Sequence, residues 1–520
     1  MSTPERICAL LLFVGCLAAS RAQADQPITP TALPHVAPGS VGMDAQVLAH
    51  IDEVMHDAIA ARETPGGVVL VARRGSIVFE KAYGRRALEP HRERASVDTI
   101  YDLASLTKVV ATAPAVLRLV EQGRLRLADK VGVYLPDWPQ PVAHGSVKAS
   151  LPVATSPSPD GKSSPAQPPP TPGPDSITLH HLLTHTSGLD DPSTGFFAHL
   201  GMDPALGLER SSVRRQLIQA IAARPLQSAP GSAFFYSDLN FLLLGEIVER
   251  VSGQHLDDFV AAEIFDPLAM HDTRFRPPRA WTPRIAPTIW TGLQLFKSPR
   301  RHARRMLRAE ASLQNVEMLA GVAGHAGLFS TASDLAIFCQ MILDGGQRAG
   351  RRILAPLSVA AMTRDQAQLA SAEQRGFGWD IRSQWSTPRG DLFAGGFGHT
   401  GWSGGSLWLV PEEQLFIIVL TNRIHPRGRG SSSPLRGKIA NVVAASLQAV
   451  GSSPQPAIPT DPGSAPNPGP VRQLSTGQTA AESPAPATAS ADGAGHGSLN
   501  GSGHGSGHGS LNGSGHGLGP

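Results

Sequence analysis

Cysteine is nearly absent from this 520-residue chain. Of its three cysteines, Cys8 and Cys16 lie close to the N-terminus, which leaves Cys339 alone in the body. One thiol closes no internal disulfide. Cys339 falls in an apolar helical pattern, where it acts as a small buried hydrophobe. A charge excess is missing too. Against 45 basic residues stand 42 acidic ones, a net of +3, so nothing global attracts nucleic acid or an anionic surface. The arginines instead gather locally, at Arg300-Arg301-His302-Ala303-Arg304-Arg305. Long apolar runs are missing beyond the N-terminus. There Arg6 precedes the apolar stretch Ile7–Ala19, too short to span a bilayer, and Ala22-Gln23-Ala24 supplies small residues for cleavage. Residues 1–24 therefore read as an export signal, and the expected location is periplasmic or secreted. Leu12-Phe13-Val14-Gly15-Cys16 is an imperfect lipoprotein box, with Phe13 where leucine is usual. Plain export is favoured over a lipid anchor on Cys16.

An apolar fraction of 41% over the whole chain is enough for a substantial core, and the apolar periodicity changes along the sequence. Residues 25–42 are rich in Pro and Ala and read as an extended segment. Asp44 then caps a helical pattern running to Arg62. Gly67–Arg73 and Ser76–Tyr83 form a hairpin about Arg74-Gly75. The next helical pattern carries Ser105, should kink at Pro114 and ends at Gly123. Residues 139–175 are dominated by Pro, Ser, Ala and Gly and read as a flexible surface insertion. Helical patterns cover about 211–223, 238–252, 255–265 and 331–344. Strands follow at Gly376–Ile381, Gly404–Val410 and Leu415–Thr421, then a closing helix over about 434–449. The expected fold is mixed α/β: an antiparallel sheet flanked by N- and C-terminal helices, with an inserted all-helical subdomain. Residues 43–449 form one domain in this scheme. The 450–520 tail is low-complexity, first Pro/Ala-rich, then a twelve-residue Gly/Ser/His repeat. It reads as disordered, and its His496, His504, His508 and His516 offer at most loose metal contacts.

Three short motifs carry chemistry. In Tyr101-Asp102-Leu103-Ala104-Ser105-Leu106-Thr107-Lys108, a serine stands three residues ahead of a lysine where an extended segment becomes a helix, so the two side chains share a face. A serine hydroxyl attacks well only when a neighbour takes its proton, and a desolvated lysine can take part in that. Alone, this pair is a weak signal, and its plainer reading is an N-capping serine followed by a solvated lysine. Phe235-Tyr236-Ser237-Asp238 places a phenol at the mouth of a helix, where it can pass protons. The plainer alternative is a core tyrosine with Ser237 or Asp238 as N-cap. Gly398-His399-Thr400-Gly401-Trp402 puts glycines beside a strand, where a ligand can approach backbone; the alternative is an edge bend with a solvent-facing histidine.

In order and spacing, these motifs resemble those of the serine β-lactamase and penicillin-binding protein superfamily. They are most similar to its class C-like branch of esterases and D-alanyl-D-alanine peptidases. Further phrases of that branch are His181–Leu189, Gly324–Thr331 and Gly376–Trp379, and the likeness covers about 40–447. The resemblance implies that Ser105 becomes acylated and that Lys108 and Tyr236 share the proton work, with Tyr236 favoured as base. It implies an oxyanion hole from the backbone N–H groups of Ser105 and Trp402. Asp238, His399, Thr400 and Gly401 would contact a small ester, amide or peptide substrate. No metal or other cofactor is required, and no nucleic acid partner is expected.

Two departures bear on substrate. Asp238 stands where Asn is usual; ionised, it only accepts hydrogen bonds and favours a charged Lys108. His399 stands where Lys is frequent, which removes a fixed charge that would meet a carboxylate. Both lean towards an esterase, with D-alanyl-D-alanine carboxypeptidase or β-lactamase as alternatives. An alternative of another class is an idle cleft that binds peptidoglycan without turnover. His185 reads as a hydrogen-bonded packing residue and His325 as part of a glycine-flanked turn. The 289–318 segment departs from the branch and could alter one wall of the cleft.

Overall fold

The computed structural model describes residues 32–139, 173–191, 210–291, 305–313, 316–317, 319–384, 386–427 and 431–448. The expected export signal, nearly all of the 139–175 insertion, most of the Arg-rich run at 300–305 and the 450–520 tail lie outside the described residues. Helix α1 (Ala45–Ala60) starts at Asp44, whose carboxylate accepts from Gln46 N at 2.8 Å and Val47 N at 3.2 Å. Strands β1 (Gly66–Arg73) and β2 (Ser76–Ala87) form the hairpin, and Arg74 and Gly75 both have positive φ at its turn. Next come β3 (Glu93–Arg94), β4 (Tyr101–Asp102) and α2 (Ala113–Glu121). A helical insert follows, made of α3 (Leu179–Leu183), α4 (Arg210–Ala222), α5 (Asp238–Ser252) and α6 (Leu256–Val260). The chain returns through β5 (Arg274–Phe275), β6 (Leu328–Ser330), α7 (Ala332–Leu343), the small hairpin β7 (Gln347–Arg348) and β8 (Arg351–Arg352), and α8 (Pro356–Thr363). It closes with β9 (Gln374–Arg375), β10 (Asp380–Arg382), β11 (Phe397–Thr400), β12 (Ser406–Val410), β13 (Leu415–Thr421) and α9 (Ser433–Ala445).

Eight strands make one antiparallel sheet in the order β3-β2-β1-β13-β12-β11-β10-β9. Strands from early and late in the domain meet at its centre, where Val69 faces Val419 and Leu70 faces Ile418. Successive side chains of a strand point to opposite faces. Val69, Val71, Ile417 and Val419 pack with Ile51 and Met55 of α1 and Ile439 and Val443 of α9. Val68, Leu70, Ile418 and Leu420 pack into the larger cluster with Val110, Val116, Leu243 and Phe338. Burial on both faces is why β1 and β13 read as continuous apolar runs rather than alternating ones. The fold is thus a central antiparallel sheet flanked by terminal helices, with an inserted helical subdomain spanning α3 to α6.

Three local expectations need correction. The Ser105 helix is not one kinked helix. Ala104–Leu106 is a 3-10 turn, Lys108–Thr112 is π-helical and closes with Ala113 N bonded to Lys108 O, and only then does α2 begin. Pro114 donates no N–H and its ring crowds the carbonyl four residues back; the wide turn absorbs that mismatch. Of Gly376–Ile381 only Asp380 and Ile381 are strand, at the start of β10. Gly378, at φ 81°, turns the chain between β9 and β10 and donates its N–H to Leu183 O at 2.7 Å. The strand expected from Gly404 begins at Ser406, because Gly404 sits at φ 128° in the turn before it.

Candidate active site

Strand β4 ends two residues before the 3-10 turn that carries Ser105, and β11 runs into Gly401 and Trp402. The opening of α5 supplies the third wall. Ser237 is its N-cap, accepting from Leu239 N at 3.2 Å and donating to Asp190 O at 2.7 Å. Asp238 is therefore not the cap; it occupies the first helical position and turns its carboxylate inward. Lys108, fully buried, donates to Ser105 Oγ at 3.2 Å, to Asp238 Oδ1 at 2.6 Å and to the His325 carbonyl at 3.0 Å. Its three N–H donors thus have three acceptors. The ammonium also lies 5.1 Å from the Tyr236 ring centroid. The Tyr236 ring stacks on His185 at 4.6 Å between centroids and stands 6.0 Å from the ring of His399.

Electrostatics follow from these contacts. Burial works to lower the Lys108 pKa, but Asp238 and Tyr236 outweigh it and hold the ammonium above its ordinary value. Burial works to raise Asp238, and Lys108 reverses this, so the carboxyl stays below its ordinary 3.8. The pair is a charged one. Burial raises the Tyr236 phenol; Lys108 draws it back down, Asp238 pushes it up, and a hydrogen bond with Ser105 lowers it. Burial, then the positive charges of Arg375 and Lys108, holds both His185 and His399 well below 6.5, so both are neutral at pH 7. His399 Nδ1 is 2.7 Å from the Thr400 carbonyl, which fixes its ring. His185 Nδ1 accepts from Ser237 N at 3.2 Å, so its role is packing and hydrogen bonding, as its place at a helix end suggests. His325 is buried with its pKa lowered to about 4, chiefly by burial, and contributes its carbonyl rather than its ring.

These groups border a cleft of about 720 Å³ that Ser105, Tyr236, His399, Thr400, Gly401 and Trp402 all line. Every expected site residue except Lys108 and Asp238 reaches its wall; those two lie behind Ser105 and Tyr236. Gly401 is required there, because a Cβ would fall 2.5 Å from the Leu103 carbonyl. The cleft also holds residues that no motif announced: Arg375, Arg423, Arg436 and Asp191. Arg375 is neutralised by Asp380 at 3.1 Å. Arg423 stacks over Trp402, 5.8 Å from its ring centroid. Arg436, on α9, donates to the carbonyls of Gly401 and Gly405 at 3.0 and 2.7 Å. Burial and then Arg423 lower its pKa to about 9. Position on a helix far along the chain gave no signal for it. A second cleft, of about 700 Å³, lies between α4 and α5, where Arg214 is satisfied by Glu246 and Glu249. Arg215 also pairs there with Asp137, at 3.7 Å. Among the described residues no cluster is disposed to hold a metal ion, and no helix is long and apolar enough to cross a membrane.

Comparison with known proteins gives the same frame. A family profile described as Beta-lactamase matches residues 49–440. A protein of Salmonella schwarzengrund (strain CVM19633), named "Putative D-alanyl-D-alanine carboxypeptidase", is 29% identical over 415 residues, covering 77% of this chain and 87% of its own. Among solved structures, EstCE1, described as a hydrolase with promiscuous acyltransferase activity, is 24% identical, with a TM-score of 0.55 over 77% of this chain and 99% of its own. A penicillin-binding protein homologue from Caulobacter crescentus is 21% identical, with a TM-score of 0.55 over 78% and 99%.

Proposed function

The chain belongs to the beta-lactamase family, whose profile spans residues 49–440, and from that premise we propose that it is an exported serine hydrolase that opens an ester or amide through an acyl-enzyme on Ser105. The observation that carries the proposal is the meeting of Ser105 and Tyr236 at one cleft with Lys108 buried behind them, its Nζ 3.2 Å from Ser105 Oγ. Ser105 Oγ attacks the substrate carbonyl. A charged lysine is no base, so the serine proton passes to Tyr236 in its phenolate form, regenerating the phenol, while the Lys108 ammonium stabilises the phenolate and the oxygen that loses the proton. The carbonyl oxygen, now negative, is met by the N–H groups of Ser105 and Trp402. Tyr236 returns the proton to the leaving group as the C–O or C–N bond breaks. Water then repeats the sequence on the ester of Ser105 and frees the acid. Hydrolysis of p-nitrophenyl butyrate tests this when titrated with a serine-reactive fluorophosphonate. Turnover should fall in proportion to labelling of Ser105; full turnover after complete labelling would overturn the assignment, and no turnover at all would favour a strict peptidase or an idle binding cleft.

Asp238 sets the pH dependence in this scheme. It raises the pKa values of both Lys108 and Tyr236, so Asp238→Asn lowers both. The rising limb of the kcat/KM profile should then move to lower pH by about one unit. An unmoved limb would remove Tyr236 from the role of base.

A second reading, that the substrate carries a negative charge, is favoured by Arg436. Among the described residues no carboxylate pairs with it, its Nε is buried without a partner, and it lines the cleft beside Gly401. This offsets the loss of a fixed charge at His399 and fits the naming of the Salmonella relative as a carboxypeptidase. A p-nitrophenyl succinate monoester should be preferred over the butyrate. Arg436→Gln should cut kcat/KM for the anionic ester about tenfold more than for the neutral one. Equal losses would assign Arg436 to support of the turn alone.

A further inference from the structure

Asp102 lies three residues before Ser105 and has no part in the proton route. Its side chain is almost wholly enclosed, at 3% exposure. Its oxygens accept from backbone: Oδ1 from Ala104 N at 2.9 Å, Oδ2 from Ser312 N at 2.8 Å. Burial pushes the carboxyl above its ordinary range, while the hydrogen bonds from Ser312 and Ala104 pull the other way. A buried carboxylate held by N–H groups rather than by a cation is costly to keep. What it holds is unusual. Ala104, the residue before the nucleophile, has φ 45°, a left-handed conformation that is strained for any residue with a Cβ. An acidic side chain that accepts the N–H two residues on stabilises just such a turn. The main chain of the same residue reaches the opposite wall, since the Asp102 carbonyl accepts from Ser403 Oγ at 2.6 Å. Gly401 rests against the adjoining Leu103 carbonyl. Strand pairing to Phe329 and the bond to Ser312 anchor the segment on its other sides.

We infer that Asp102 is a positioning residue for Ser105: its carboxylate keeps Ala104 left-handed, and its main chain ties the Gly401–Gly405 turn to the nucleophile, so that Ser105 Oγ and the Trp402 N–H address one carbonyl group. The inference rests on Ser105 as nucleophile. Asn at 102 keeps one acceptor oxygen but sets an NH₂ group against the other N–H, so it breaks one of the two bonds. Misplacement of a reacting group by about 1 Å costs on the order of 100-fold.

The full-length protein tests this with two readouts, fluorophosphonate labelling of Ser105 and steady-state hydrolysis of p-nitrophenyl butyrate. Asp102→Asn should slow labelling and lower kcat by about 100-fold while KM stays within about twofold. Ser403→Ala, which leaves the carboxylate in place, should lower both about tenfold. A folded Asp102→Asn protein that labels and turns over like the parent would overturn the inference. If that variant does not fold, parental rates in Ser403→Ala overturn it instead. If the parent itself fails to label at Ser105, the nucleophile assignment falls and takes this role with it; labelled parent and unaffected variants sink the positioning role alone.

Discussion

Ser105→Ala is expected to lower kcat/KM by at least about 10³-fold on any substrate of this protein, with the fold intact. The substitution removes one oxygen from a wall of the cleft. Lys108 keeps its bonds to Asp238 and to the His325 carbonyl, so the charged pair behind the nucleophile survives and stability should change little. What disappears is the covalent route. The residual rate would come from binding and from the backbone N–H groups of residues 105 and 402, which still polarise the carbonyl towards attack by water. A loss below tenfold would mean that water attacks directly and that Ser105 only borders the cleft.

Lys108→Met is expected to match that loss within an order of magnitude and to destabilise the fold as well. Lys108 is completely buried, and the Asp238 side chain is 20% exposed. In the parent, Asp238 has a folded pKa below its unfolded value, so the pair's contribution is fully present above about pH 4. It is lost as pH falls through the depressed folded value. Without the ammonium, burial is the leading influence on Asp238 and its folded pKa rises above the unfolded one. The sign reverses: the variant should tolerate acid and lose stability as pH rises, by about 2 kcal/mol near neutrality. Guanidinium unfolding at pH 4 and pH 8 reads the difference. Lys108→Met combined with Asp238→Leu should regain the stability without the activity. Equal stability of parent and single variant at pH 8 would show that the pair carries no net weight in the fold.

The sheet was legible because its central strands are buried on both faces, and such runs as Val68–Ala72 and Leu415–Leu420 admit few other interpretations. The terminal helices announced themselves through spacing and through Asp44. What escaped was local: Pro114 is resolved by a π turn rather than a kink, and Gly378 converts a strand pattern into a turn by adopting a positive φ. In the site, Ser105, Tyr236 and the His399–Trp402 stretch stand in compact motifs, so their order along the chain was enough to group them. Arg375, Arg423 and Arg436 have no such motif. They converge only because β9, the end of β13 and α9 border the same cleft, and no spacing rule reports a contact between an α9 arginine and the carbonyl of Gly401. Asp238 was visible as a departure, but its inward turn depends on Ser237 taking the N-cap. Asp102 was hidden for a related reason: a lone acidic residue before a motif looks solvated until its oxygens are seen to accept buried N–H groups.

The most direct test of the account is the intact mass of the full-length protein, quenched in acid within milliseconds of mixing with p-nitrophenyl butyrate, followed by peptide mapping. A fraction of the protein should be heavier by one butyryl group, located on the peptide containing Ser105 and absent from Ser105→Ala. Steady hydrolysis with no adduct in the parent, or an adduct that persists in the variant, would contradict it.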